Sequence, residues 1–120
     1  MKTIIDRIIK WNQARYKQEF NKKLTEDLLI EEVSELIDSE LEVEELDALI
    51  DIIYVSIGAM WKMGLNATQI YNALTVVCIS NESKIVETVE SHIKASAVKG
   101  DAFIPPENML QVLLNQRSWD

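Results

Sequence analysis

The stretch that decides the fold is residues 30–55, IEEVSELIDSELEVEELDALIDIIYV. It contains no Gly and no Pro, and its apolar residues recur three and four apart, the spacing of one helical face. Ser39 and Glu40 interrupt the pattern, so the stretch reads as the end of one helix and the start of another. Glu31, Glu32 and Glu35 form an acidic ridge on the first. On the second, Glu44, Asp47 and Asp51 follow at helical spacing. Asp51 stands alone in the run ALIDIIYVSIGAMW, with no further charge until Lys62.

Like charges at these spacings each cost about 0.2–0.5 kcal/mol even when exposed, and partial burial raises that cost. If the two helices pack antiparallel, the ridges face each other, and a hard divalent cation removes the conflict. Mg²⁺ takes oxygen ligands and is commonly shared between carboxylates and substrate phosphates. The plain alternative is a solvated acidic face, and Glu40, Glu42, Glu44 and Glu45 read best that way.

Working outward, Ile4, Ile5, Ile8, Ile9 and Trp11 predict a first helix over 2–18, and FNKKL is the first turn. Thr25 is a candidate cap for the second helix, which runs to Asp38 with Leu29, Ile30, Val33, Leu36 and Ile37 on its apolar face. The third helix spans 42–63, and Gly64 supplies a left-handed stop. Its expected buried stripe is Leu46, Leu49, Ile50, Ile53, Ile57 and Met60. Asn66 and Gln69 have capping-box spacing and start a fourth helix ending near Ser83. Residues 88–100 read as a short fifth helix, and a last one begins just after Pro106. The expected fold is all-α, a bundle of five to six helices around a central acidic pair, forming one domain over 1–120. Short helices with this much apolar surface suggest a homo-oligomer.

The totals narrow the function. The chain has 120 residues and a formal charge of −8, which argues against nucleic-acid binding, because phosphate backbones require a basic footprint. Cys78 is the single cysteine, so no disulfide can form within the chain, as suits a reducing compartment. Asp6, Arg7 and Lys10 break any signal-peptide core, and no uncharged run spans a membrane. A cytoplasmic protein is expected. One histidine, His92, supports neither a serine triad nor a zinc site, and no Gly-rich phosphate loop is present.

EEVSEL followed by DALIDIIYV resembles the MazG-like all-α nucleotide pyrophosphohydrolases, which carry Glu-Glu-x-x-Glu on one helix and Glu-x-x-Asp on the next. DIIYVSIGA and SNESK (80–84) are similar to elements of the branch related to phosphoribosyl-ATP pyrophosphohydrolase. The chain departs from the pattern at Ala48, which stands in the second Glu slot, with Asp47 one residue earlier. A rival register takes Glu44 and Asp47 as the pair.

The resemblance implies hydrolysis of a nucleoside triphosphate between the α and β phosphates, as nucleotide-pool house-cleaning on deoxynucleoside or non-standard triphosphates. By the same resemblance Glu32, Glu35 and Asp51 would hold Mg²⁺, or Mn²⁺ in its place, with Asp47 helping. Glu31 or another of these carboxylates would activate the water. Lys84 and Asn81 are candidate phosphate or sugar contacts, with Lys94 and Lys99 weaker ones. Trp11, Asn12 and Gln13 are candidates for a base pocket, with Tyr54 lining it. For Trp11 alone, core packing is the simpler reading. Two other readings stay open: hydrolysis of phosphoribosyl-ATP, and a non-catalytic acidic dimer in which Ala48 marks a decayed site.

Overall fold

The computed structural model describes residues 2–87, 96–98 and 102–119. In chain order the elements are α1 (Lys2–Gln13), α2 (Lys22–Asp38), α3 (Glu42–Lys62), α4 (Ala67–Glu82), β1 (Ile85–Glu87), β2 (Ser96–Val98) and α5 (Glu107–Asn115). The fold is all-α, with five helices and one two-stranded antiparallel ribbon pairing Ile85 with Val98 and Glu87 with Ser96. That pairing overturns the expected helix where it would have covered Ser96–Val98. The rest of that expected helix, with His92, Lys94 and Lys99, lies outside the described residues.

Local chemistry accounts for most boundaries. Asn21 caps α2, its Oδ1 accepting from the Leu24 N–H at 3.0 Å. Thr25, the expected cap, sits a turn inside the helix, and its hydroxyl donates to the Asn21 carbonyl. Asn66 and Gln69 form a reciprocal capping box at the start of α4, both bonds at 2.9 Å. Gly64 follows α3 at φ 98°, a conformation that costs a side-chain-bearing residue energy. Trp119 packs over it, its ring 3.0 Å from where a Cβ would stand.

α1 ends at Gln13, five residues earlier than the periodicity predicts. The Arg15 and Tyr16 amides both donate to the Asn12 carbonyl, which tightens the chain into a turn. Tyr16 is thereby carried back to Trp11, ring centroids 6.3 Å apart.

The core lies at one end of the molecule. Ile5, Ile8 and Ile9 of α1 pack with Ile57 and Trp61 of α3, with Leu65, and with Ala67 and Ile70 of α4. Leu114 of α5 joins them, and α5 is tied down by Arg117 Nη1 donating to the Met63 carbonyl at 2.9 Å. The other end is the α2–α3 hairpin. Here the expected stripe fails: Leu46, Leu49, Ile50 and Ile53 are exposed, and only Ile57 and Met60 join or border the core. On α2, Leu29 and Leu36 are half-buried, but Ile30, Val33 and Ile37 are exposed, Ile37 at 74%. The periodicity predicts burial here, yet α1 and α4 reach the core end of α3 and supply no third layer over the hairpin.

Candidate active site

The hairpin sets two acidic faces against each other. One carboxylate oxygen each from Glu32, Glu35 and Asp51 lies within 4.8 Å of the other two. Glu32 is the inner member. Burial pushes its pKa up to about 7, and Glu35, Asp51 and Glu31 add like charge. A hydrogen bond with Glu35 favours the protonated form further. Its Oε2 is buried with no hydrogen-bond partner among the described residues. A buried oxygen without a donor, beside two more carboxylates, is a set that a hard divalent cation satisfies and that water alone leaves in conflict.

Beside the trio opens a cavity of about 340 Å³, lined by Trp11, Asn12, Tyr16, Leu28, Glu32, Asp51, Tyr54, Val55 and Lys62. Its α3 wall follows from helical spacing: Tyr54, Val55 and Lys62 stand three, four and eleven residues after Asp51, so they form one stripe. The opposite wall comes from α1 and the turn after it. Trp11 meets Tyr54 edge-on with centroids 5.6 Å apart, and Arg15 stacks on Trp11 at 4.2 Å. Trp11 is exposed and stands outside the core. Asn12 is buried, and its Nδ2 donates to the Ile8 carbonyl at 2.8 Å. The cavity therefore has an acidic end, aromatic sides and a cation at Lys62.

Several candidate residues fall elsewhere. Asp47 lines a separate depression with Glu35, Asp38, Ser39 and Glu44, so Glu35 borders both sites while Asp47 stays outside the trio. Ala48 is 2% exposed. At the slot where the motif carries Glu, the hairpin buries a small apolar side chain. Glu31 is exposed and does not line the cavity. Gln13 is also exposed and outside the lining. Asn81 and Lys84 bond to each other, Nζ to Oδ1 at 2.9 Å, at the end of α4, and neither lines the cavity.

Tyr16, Leu28, Val55 and Lys62 line the cavity without having been singled out from the sequence. For Lys62 a signal existed. It is the only charged residue between Asp51 and Glu82, and it stands three helical turns after Asp51 on the same face. Tyr16 carried no signal, because its place depends on α1 ending early.

The family model for phosphoribosyl-ATP pyrophosphohydrolase matches residues 1–76. That span holds α1 to α3, every carboxylate of the trio and every residue lining the cavity. No curated protein and no solved structure shows a significant match to the chain.

Proposed function

Since the chain belongs to the phosphoribosyl-ATP pyrophosphohydrolase family, whose members hydrolyse a pyrophosphate bond in a nucleotide, we propose that it cleaves nucleoside triphosphates between the α and β phosphates. Deoxynucleoside or non-standard triphosphates are the substrates we favour, with nucleotide-pool house-cleaning as the role. Water adds to the α phosphorus, the bond to the bridging oxygen breaks, and monophosphate and pyrophosphate leave. The observation that carries this reading is the trio of Glu32, Glu35 and Asp51 at the mouth of a cavity large enough for a nucleoside.

Glu32, Glu35 and Asp51 would hold Mg²⁺, or Mn²⁺ in its place. A divalent cation there offsets phosphate charge and acidifies water. The chain's own groups do the rest. Glu32 would serve as a ligand in its ionised form, so it would have to release the proton that its surroundings favour. Trp11 and Tyr54 present aromatic surface to the base and exclude water beside it. Glu31, next to the trio but outside it, is the candidate base for the attacking water. Asp47, which lines the neighbouring depression with Glu35, would help from outside the trio.

The exposed apolar faces of α2 and α3 support a homodimer, or a homotetramer built from it. Ile30, Val33 and Ile37 on one helix and Leu46, Leu49, Ile50 and Ile53 on the other leave a large apolar surface, more than a monomer normally shows. A second hairpin of the same kind would complete a four-helix bundle over it. Residues beyond 76 belong, in this reading, to the same domain, since Gln116 and Arg117, just after α5, are bonded to Gln69 and Met63. No single helix among the described residues is long and apolar enough to cross a membrane. A cytoplasmic location accords with that and with the free Cys78.

The test is pyrophosphate release from a panel of ribo- and deoxynucleoside triphosphates, with Mg²⁺ and with EDTA. Metal-dependent release from some of them is the expected result. The family's own description favours a second substrate, phosphoribosyl-ATP. Release from it alone would replace the first reading, and no release from any would leave the acidic dimer.

A further inference from the structure

The cavity is directional, and its order along α3 carries information about the base. Asp51 stands at one end. Gly58 and Lys62 follow on the same face, one turn apart. Eleven residues separate Asp51 from Lys62, a rise of roughly 16 Å. Side chains on a helix tilt toward its N-terminus, which for Lys62 is the direction of Asp51. A nucleotide with its phosphates at the trio and its length along this wall would carry the far edge of its base toward Lys62.

Two polar groups meet there. Lys62 is 5% exposed. Its ammonium lies 3.8 Å from the Tyr16 ring centroid, and among the described residues it pairs with no carboxylate. An ammonium offers donors only. Asn12 sits one turn nearer the carboxylates, against Gly58. A Cβ at Gly58 would stand 2.7 Å from Asn12 Oδ1, so the glycine is what lets the amide seat there. With one Nδ2 hydrogen given to the Ile8 carbonyl, a bond that fixes how the amide is turned, Asn12 keeps its Oδ1 as an acceptor that no protein donor satisfies among the described residues.

The far substituent of a pyrimidine is at C4 and of a purine at C6. The ring nitrogen beside it is nearer the sugar. We propose that Lys62 donates to an oxo group at that far position while Asn12 Oδ1 accepts the adjacent ring N–H, so the pocket selects uracil, thymine, guanine or hypoxanthine over cytosine and adenine. An amino group at the far position would set donors against donors, and the ammonium would gain no acceptor from the base. Lys62 is thus a specificity residue, and adenine-based substrates are disfavoured. This inference rests on the proposed nucleotide pyrophosphohydrolase activity and deepens it.

The experiment compares two pairs that differ only at the decisive position: dUTP against dCTP, and inosine triphosphate against ATP. Each oxo member should show a kcat/KM higher on the order of ten- to a hundredfold, the range a hydrogen bond to a charged group supplies. Lys62→Met should bring both ratios near one by lowering the oxo members. Gly58→Ala, which displaces Asn12 and leaves Lys62 intact, should lower the ratios without abolishing release. Ratios near one in the parent protein, or an equal loss on both members in Lys62→Met, would overturn the proposal, the latter by making Lys62 a phosphate contact or a structural residue. Calorimetric binding of dUMP and dCMP in EDTA separates this from failure of the reaction. Preferential dUMP binding without pyrophosphate release would sink the reaction and keep the base assignment. Equal binding of the two, or none, together with no release overturns the base assignment as well.

Discussion

Ile53 and Ile57 are the same residue one turn apart on α3, yet Ile53 is 57% exposed and Ile57 4%. Between them the helix changes role. From Tyr54 onward it is the spine of the core, covered by α1 and α4. Before that it is half of a hairpin that carries carboxylates inward and isoleucines outward. Helical periodicity reports which residues share a face. It says nothing about whether the chain has another layer to put over that face.

The contrast can be broken most severely at the core end. Ile57→Ala should cost about 2–5 kcal/mol of stability, as a buried isoleucine truncated to a cavity does. Ile53→Ala in the monomer should stay within about 0.5 kcal/mol, and chemical denaturation of both variants at low concentration reads the difference. At the hairpin end the large effect is on chemistry. Asp51→Asn should lower pyrophosphate release by at least about 10²-fold with the circular-dichroism spectrum unchanged.

The hairpin's outward face gives a smaller and different effect. Ile50→Ser combined with Ile53→Ser should shift a dimer toward monomer by light scattering while leaving the helical content intact. A monomeric parent protein, or a dimer indifferent to these changes, would remove the second copy from the account.

The carboxylate trio makes the comparison pH-dependent. In the folded chain the Glu32 pKa is about 7 against an ordinary 4.5. The native state therefore holds this proton more tightly than the unfolded state. From Glu32, metal-free stability should fall as pH rises from about 4.5 to about 7, then level off. A divalent cation competes with the same proton. Its affinity should drop as pH falls below about 7, and thermal melts across that range with and without Mg²⁺ should converge at the acidic end. Glu32→Gln should flatten both trends. Smallest of all is Glu42→Gln on the exposed first turn of α3, where activity should stay within about twofold.

Much of this was legible from residue types and spacing. The ends of α3, the capping box at Asn66, the start of α5 after Pro106 and the acidic pair of helices are local signals, and the structure has them. The suspected family branch is the one the chain belongs to. What escaped was nonlocal. The ribbon joining Ile85–Glu87 to Ser96–Val98 depends on two segments meeting, which neither announces. α1 stops at Gln13 with no Gly or Pro to mark it, because the Asn12 carbonyl takes both following amides. That early stop brings Tyr16 over Lys62 and completes the cavity, so the same unmarked turn hid Tyr16. Lys62 is visible in the sequence as a lone charge on an apolar helix, but spacing alone does not say that a cavity opens beside it. Asp47 shares a face with Asp51, yet it lines a neighbouring depression with Glu35 and is not one of the trio, a distinction of tertiary geometry that spacing does not carry.

The central claim is that Glu32, Glu35 and Asp51 together hold a divalent cation. The most direct test is calorimetric titration of Mn²⁺ into the parent protein, Asp51→Asn and Glu42→Gln at pH 8. One saturable site per chain in the parent and in Glu42→Gln, lost in Asp51→Asn, is the predicted result. Equal binding in all three, or none in the parent protein, would contradict the account.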